Sequence, residues 1–199
     1  MPADMLRLMK LVTLACAALL ATTAAAPRTA PGTTDVAIRT PDGTIVVRLD
    51  AAHAPGTVKN FLHYVDAHTY DNTTFYRTVS RAREPQSKIE VIQGGLNPQT
   101  ANPMIQPIPL EPTSKTKLHN TDGVISMART ADPNSATTEF FICIGDNRFL
   151  DAGGPLGPGY AAFGKVVRGM DVVRKIQRAN ANGESLTPPV RIISITRAR

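Results

Sequence analysis

The sequence predicts a mainly β domain in which about eight strands close into a barrel and two helices cap it. Three observations carry that expectation. The chain of 199 residues holds 16 prolines and 14 glycines, which punctuate it too often for long helices. Only two stretches repeat their apolar residues at the helical period of 3.6. Between and around them, short strand-like runs follow one another with no internal repeat.

Residues 1–25 read as a secretory signal peptide. Arg7 and Lys10 form its charged start, and Leu11 to Leu20 its apolar core. Thr22-Thr23-Ala24-Ala25-Ala26 supplies the small residues that a signal peptidase needs. The apolar run falls short of the roughly 20 residues of a membrane-spanning helix. Cys16 sits inside that run with more leucine after it, which disfavours a lipidated cysteine. The reading is therefore export to the periplasm with no stable membrane insertion. Residues 26–34 form an Ala/Thr/Pro linker, and 35–199 the folded domain.

Asp35 to Thr40 and Thr44 to Leu49 flank Pro41-Asp42-Gly43, a hairpin signal. Pro55 opens a helix at its first position, where a missing N–H costs nothing; Val58, Phe61, Leu62 and Val65 give it one apolar face. Thr73 to Val79 is a strand, Ser80 to Ser87 a charged surface excursion, and Lys88 to Gln93 a strand ending at Gly94-Gly95. Asn97 to His119, rich in Pro and Thr, reads as a long loop that carries function or seals an edge. Val124 to Ala128, Phe140 to Ile144 and Tyr160 to Val167 are strands, with a Gly/Pro loop at Gly153 to Gly159. Met170, Val173 and Ile176 mark the second helix, and Val190 to Thr196 closes the chain.

Composition excludes several function classes. The net charge is +6, about +5 without the leader, and no basic run is interleaved with aromatics as a nucleic-acid groove would be. Without the leader Cys143 stands alone, so no intramolecular disulfide forms; its apolar surroundings suit a buried thiol. Gly159 to Val166 imitates a phosphate-binding loop but ends in Val166, which has no hydroxyl for a metal ion. Gly157-Pro158-Gly159-Tyr160-Ala161-Ala162 imitates a dinucleotide fingerprint without the following helix. His63 and His68 are five apart and cannot chelate from one helical face. There is no nucleophile elbow and no zinc pattern. No metal and no cofactor is expected.

What remains is a set of arginine, glutamine and phenylalanine. Adjacent strand residues face opposite sides, so Phe140 and Phe141 cannot both point inward. Phe140 and Phe163 read as core, which leaves Phe141 to face outward near Arg77 and Gln93. A polar loop, Asn134 to Thr138, runs straight into that aromatic pair. Such a surface hydrogen-bonds a peptide backbone beside an aromatic pocket.

Five motifs in order resemble the cyclophilin family of peptidyl-prolyl cis–trans isomerases, over nearly all of 35–197. Phe75-Tyr76-Arg77 matches the family's Phe-His-Arg, Gln93-Gly94-Gly95 its Gln-Gly-Gly, and Ser126-Met127-Ala128 its Ser-Met-Ala. Thr138-Glu139-Phe140-Phe141-Ile142 matches Ser-Gln-Phe-Phe-Ile, and Phe163-Gly164-Lys165-Val166 matches Phe-Gly-Lys-Val. The resemblance implies an eight-stranded antiparallel closed barrel capped by two α-helices, with its site in a groove on the outer face. It implies Arg77 as the catalytic residue. It implies Phe75, Val91, Gln93, Ala128, Arg129, Phe141, Phe149, Leu150 and Tyr160 as substrate-binding residues. Glu139 replaces the family's glutamine, Arg129 a common asparagine that binds through its backbone, Phe149 a tryptophan of many eukaryotic members, and Tyr160 a histidine. The expected partners are proline-containing polypeptides, unfolded or folding exported proteins, acted on by a monomer. A groove that binds proline segments without turnover is the alternative. A hydrolase or transferase would need a nucleophile–base pair that the sequence does not offer.

Overall fold

The computed structural model describes residues 33–96 and 105–198; the signal-peptide reading, most of the linker and the start of the long loop lie outside them. The first hairpin pairs β1 (Thr33–Thr40) with β2 (Gly43–Asp50) around Pro41-Asp42. β1 thus starts two residues before the expected Asp35, because Thr33 and Thr34 already pair with Asp50 and Leu49. Helix α1 (Pro55–Asp66) follows, burying Val58, Phe61, Tyr64 and Val65. Its first N–H groups have no cap from its own sequence. Glu111 supplies one from the long loop, accepting from Gly56 N–H at 3.0 Å and Thr57 N–H at 2.7 Å, as an acid at a helix N-terminus should.

β3 (Thr74–Val79) and β4 (Val91–Gly95) follow, then the single turn α2 (Thr113–Thr116), β5 (Val124–Met127) and β6 (Phe140–Cys143). A 3₁₀ turn over Arg148–Leu150 precedes β7 (Ala162–Arg168) and α3 (Met170–Gln177). The chain finishes with β8 (Ala181–Asn182), β9 (Ser185–Arg191) and β10 (Ser194–Arg197). Every pairing is antiparallel, in the order β10-β1-β2-β7-β5-β6-β4-β3-β9-β8.

β10, at one end of that order, and β9, next to the other end, are joined by the chain itself. β9 bonds β3, and β10 bonds β1. Between them Ile192 N–H donates to Thr73 C=O and Ile193 N–H to Arg39 C=O. One segment therefore stitches both edges, and the barrel closes, which removes the exposed edges of an open sheet. The strand count departs from the expected eight for two reasons. The last expected strand, Val190 to Thr196, is divided at Ile192-Ile193 where it changes partner, and the short β8 adds a hairpin on β9. The strand expected from Lys88 begins at Val91; Arg81, bonded to Ser87 C=O, Lys88 C=O and Glu90, holds the preceding residues in the surface excursion.

Two apolar clusters result. The barrel interior holds Phe61, Tyr70, Phe75, Phe140 and Phe163, all fully buried, with Phe140 edge-on to Phe61, Tyr70 and Phe75 at 5.6–5.8 Å. Gly164 lets β7 approach β2: a Cβ there would lie 2.5 Å from Arg48 C=O. The second cluster is on the outer face, where Val79, Val91, Ala128, Phe141, Cys143 and Leu150 pack together.

Candidate active site

The outer cluster is the floor of a groove of about 610 Å³. Alternation along β6 makes it: Phe140 points into the barrel, and Phe141 points out onto β4, β5 and the 3₁₀ turn. Val91 and Phe141 come from β4 and β6, Ala128 from the end of β5, and Leu150 from the 3₁₀ turn. All four are no more than 9% exposed. Phe141 is therefore covered, not the exposed aromatic that the sequence suggested. Phe149 and Tyr160 are half-buried at the rim, with Tyr160 edge-on to Phe141 at 5.6 Å. The Arg129 guanidinium lies 4.6 Å from the Tyr160 ring centre and donates through Nε to Gly159 C=O at 2.9 Å. That stack fixes the rim.

Arg77 stands over this floor. Its Nε–H donates to Glu184 at 2.6 Å and its Nη1–H to Gln93 Oε1 at 2.8 Å. Two of five guanidinium N–H groups are thus committed to protein partners. Gln93 Nε2–H donates to Tyr76 Oη at 2.8 Å, and Tyr76 O–H donates to Glu139. One chain of hydrogen bonds runs Glu184–Arg77–Gln93–Tyr76–Glu139 along one side of the groove. Burial pushes the Glu139 carboxyl above its ordinary range, against the lowering influence of Tyr76, Gln93 and Arg77. Burial, and then the bond to Glu139, push the Tyr76 hydroxyl well above the ordinary tyrosine range. Tyr76 stays a donor.

A bulge explains how both Tyr76 and Arg77 reach the groove. The pairing of β3 shifts register between Phe75 and Arg77 on both neighbouring strands, which re-aims the side chains that follow. Phe75 is the correction this forces. Without the bulge it would share a face with Arg77; instead it is fully buried in the barrel interior and does not line the groove. The other nine expected residues line it: Arg77, Val91, Gln93, Ala128, Arg129, Phe141, Phe149, Leu150 and Tyr160.

Sequence reasoning missed Glu184 entirely. It lies 107 positions from Arg77, in the β8–β9 turn that Gly183 allows with φ +57°. Its carbonyl accepts from Thr78 N–H at 2.8 Å, so the backbone of β3 itself pins Glu184 beside Arg77. No local signal marks such a pair. Leu156, an exposed large apolar residue on the same rim, was also passed over. Cys143 lies beneath the floor, fully buried, and burial pushes its thiol far up; it is a packing residue.

Comparison with known proteins agrees with this geometry. The family model described as cyclophilin type peptidyl-prolyl cis-trans isomerase matches residues 34–197. Peptidyl-prolyl cis-trans isomerase A of Dickeya dadantii is 38% identical over 175 residues, 85% of each chain. Peptidyl-prolyl cis-trans isomerase B of Escherichia coli is 40% identical over 144 residues, 71% of this chain and 83% of its own. Among solved structures, a cyclophilin type isomerase of Cryptosporidium parvum superposes with a TM-score of 0.67 over 84% of this chain and 98% of its own, at 22% identity. The Hirschia baltica cyclophilin AquaCyp293 gives 0.66 over 85% and 75%, at 21% identity. With the barrel, the fixed arginine and the apolar floor in place, the chain belongs to the cyclophilin-type peptidyl-prolyl cis-trans isomerase family.

Proposed function

We propose that the groove isomerises X-Pro bonds in unfolded and folding exported polypeptides, with Arg77 as the residue that stabilises the twisted amide. Rotation about a peptide bond faces a barrier of roughly 18–20 kcal/mol from C–N double-bond character, and uncatalysed X-Pro exchange takes tens to hundreds of seconds. In the twisted state the proline nitrogen turns pyramidal and gains a lone pair. A permanently charged guanidinium donates to that nitrogen or the neighbouring carbonyl without proton transfer. Val91, Phe141 and Leu150 hold the proline ring, while Gln93 and Ala128 hold the backbone. Arg129, Phe149 and Tyr160 shape the rim.

The observation that carries the reading is an arginine held by two partners above an apolar floor. A groove that only retained proline segments would need no fixed cation there. The reaction breaks no covalent bond and needs neither metal nor cofactor. One charge-assisted hydrogen bond contributes about 1.5–3 kcal/mol, whereas a 10⁵-fold acceleration takes about 7 kcal/mol. The rest comes from a groove already in place before substrate arrives. We assign the mature protein to the periplasm on its signal-like leader, acting there as a monomer. A proline-peptide isomerisation assay tests the function. Arg77→Ala lowers kcat/KM by at least about 10², the equivalent of about 2.7 kcal/mol of transition-state stabilisation, with its circular dichroism spectrum unchanged. Near-wild-type turnover by the variant removes Arg77 from the mechanism.

A further inference from the structure

A second concavity of about 620 Å³ lies beside the groove on the outer barrel face. Arg48, Lys165 and Val124 stand side by side across β2, β7 and β5, and Val167, 47% exposed, shares the outer face of β7 with Lys165. Leu118 completes an apolar floor, and Lys117 and Arg148 add two more cations at its edge. Like charges directly opposite on neighbouring strands are unfavourable. Asp35 offsets Arg48 with two bonds of 2.8 Å, but no carboxylate among the described residues pairs with Lys165. Among the described residues Lys117 Nζ–H donates to Ser114 C=O and to no carboxylate, and the exposed Arg148–Asp146 contact is long, at 3.5 Å. Asp50, the one carboxylate among the described lining residues, is engaged by His53 at 2.8 Å. The concavity is thus a cationic ring around an apolar floor.

The wall between it and the groove is a single 3₁₀ turn. Arg148 faces the cationic side, and Phe149 and Leu150 face the groove. Asp151, the next residue, locks this wall to the loop that carries Lys117 and Leu118: it accepts from Asn120 N–H at 2.9 Å and from Asn120 Nδ2–H at 2.8 Å, and meets His119 at 2.7 Å. Arg148 on one side and Phe149 on the other are consecutive residues, and an extended polypeptide advances roughly 3.3 Å per residue.

We propose that the cationic concavity is an extended subsite for an acidic segment with interspersed aliphatic residues, located in the same polypeptide whose X-Pro bond occupies the groove. This rests on the isomerase reading above and names the substrate class it prefers. Charge complementarity selects the acidic residues, the Leu118–Val124–Val167 floor accommodates the aliphatic ones, and continuity with the groove makes the occupant part of the substrate. No Phe, Tyr or Trp is among the described residues that line the concavity, which disfavours stacked nucleobases.

The test compares peptides sharing an Ala-Ala-Pro-Phe core, with a Glu-Leu-Glu-Glu or a Gln-Leu-Gln-Gln block attached before or after it. In one placement the glutamate block lowers KM about threefold to tenfold at low salt, the size that two or three exposed ion pairs allow, with kcat unchanged. Added salt at about 0.5 M removes the advantage. In a Lys165→Gln, Arg148→Gln double variant the glutamate peptide falls to the KM of the glutamine peptide, whose own constants do not move. Equal KM values in both placements, or a preference that survives the double substitution, overturn the proposal. Turnover of the glutamine peptide by the wild type tests the isomerase reading separately. Without turnover, titration of the glutamate peptide against the Val167 methyl resonances still reads the subsite, and unmoved resonances overturn it. Binding to phosphatidylglycerol vesicles through the same two residues, with no peptide preference, replaces the peptide with a membrane surface and also overturns it.

Discussion

At Arg77 most of the cost of ordering a long side chain is met before substrate arrives. An arginine gives up rotamer freedom worth up to about 2 kcal/mol when fixed, and Glu184 and Gln93 already hold it at 2.6 and 2.8 Å. Glu184 is therefore a positioning residue. Glu184→Ala lowers kcat about tenfold with KM nearly unchanged, and Glu184→Gln, which keeps an oxygen for Nε–H, recovers part of the loss. In an Arg77→Ala background the Glu184→Ala substitution has no further effect; additive losses in that double-mutant cycle would place Glu184 outside the arginine's action. Glu139 carries a different consequence. Its folded pKa is raised by burial above the ordinary 4.5, so the native state binds more proton than the unfolded chain between the two values, and stability falls as pH rises through that window. Glu139→Gln accordingly raises Tm at pH 7, with the gain shrinking towards pH 4; a gain independent of pH would assign the effect to packing. Arg77, Gln93 and Phe141 were legible in the sequence because motif and strand alternation mark them. Glu184 was not, because a partner 107 positions away is set by strand pairing.

Strand alternation sorts the side chains of β6 between the barrel interior and the groove, and a bulge breaks it on β3. β6 is the clearest case: Phe140 is fully buried inside the barrel and Phe141 is 4% exposed beneath the groove. The two neighbours have similar burial and different duties. Phe140→Leu and Phe141→Leu both lower Tm, by the equivalent of about 1–3 kcal/mol typical of core changes. Per folded molecule, Phe140→Leu isomerises near the wild-type rate, whereas Phe141→Leu loses about tenfold in kcat/KM. Equal activity losses would mean that the groove floor and the barrel interior are one mechanical unit. On β3 the family resemblance put Phe75 in the groove, but a bulge, which leaves no trace in the run Thr74–Val79, leaves it buried in the barrel. The first hairpin and both longer helices were legible from an Asp-Gly turn and a 3.6 period. The cap that Glu111 gives α1 was not, since it comes from 54 or more positions downstream in a segment without periodicity.

At the scale of the molecule, closure depends on residues 185–197 changing partner from β3 to β1 across Ile192-Ile193. Sequence periodicity sees one strand there and cannot see two partners, which is why the count differed while the barrel did not. The ladder at the other end starts at Thr33, paired with Asp50. Among the described residues the strands run from Thr33 to Arg197, and the leader precedes them in the sequence. Its charged start, its apolar core from Leu11 to Leu20 and the small residues before Pro27 fit secretion. Exported protein is expected to begin between Ala24 and Pro27, and intact-mass measurement of periplasmic material reads this directly. Loss of the leader removes Cys16 and leaves Cys143 as the single thiol, fully buried, so the same sample takes up no thiol reagent until it is unfolded. A mass retaining Arg7 with an acyl group on Cys16 would instead make the protein membrane-anchored by lipid, and would confine its groove to chains folding at that surface.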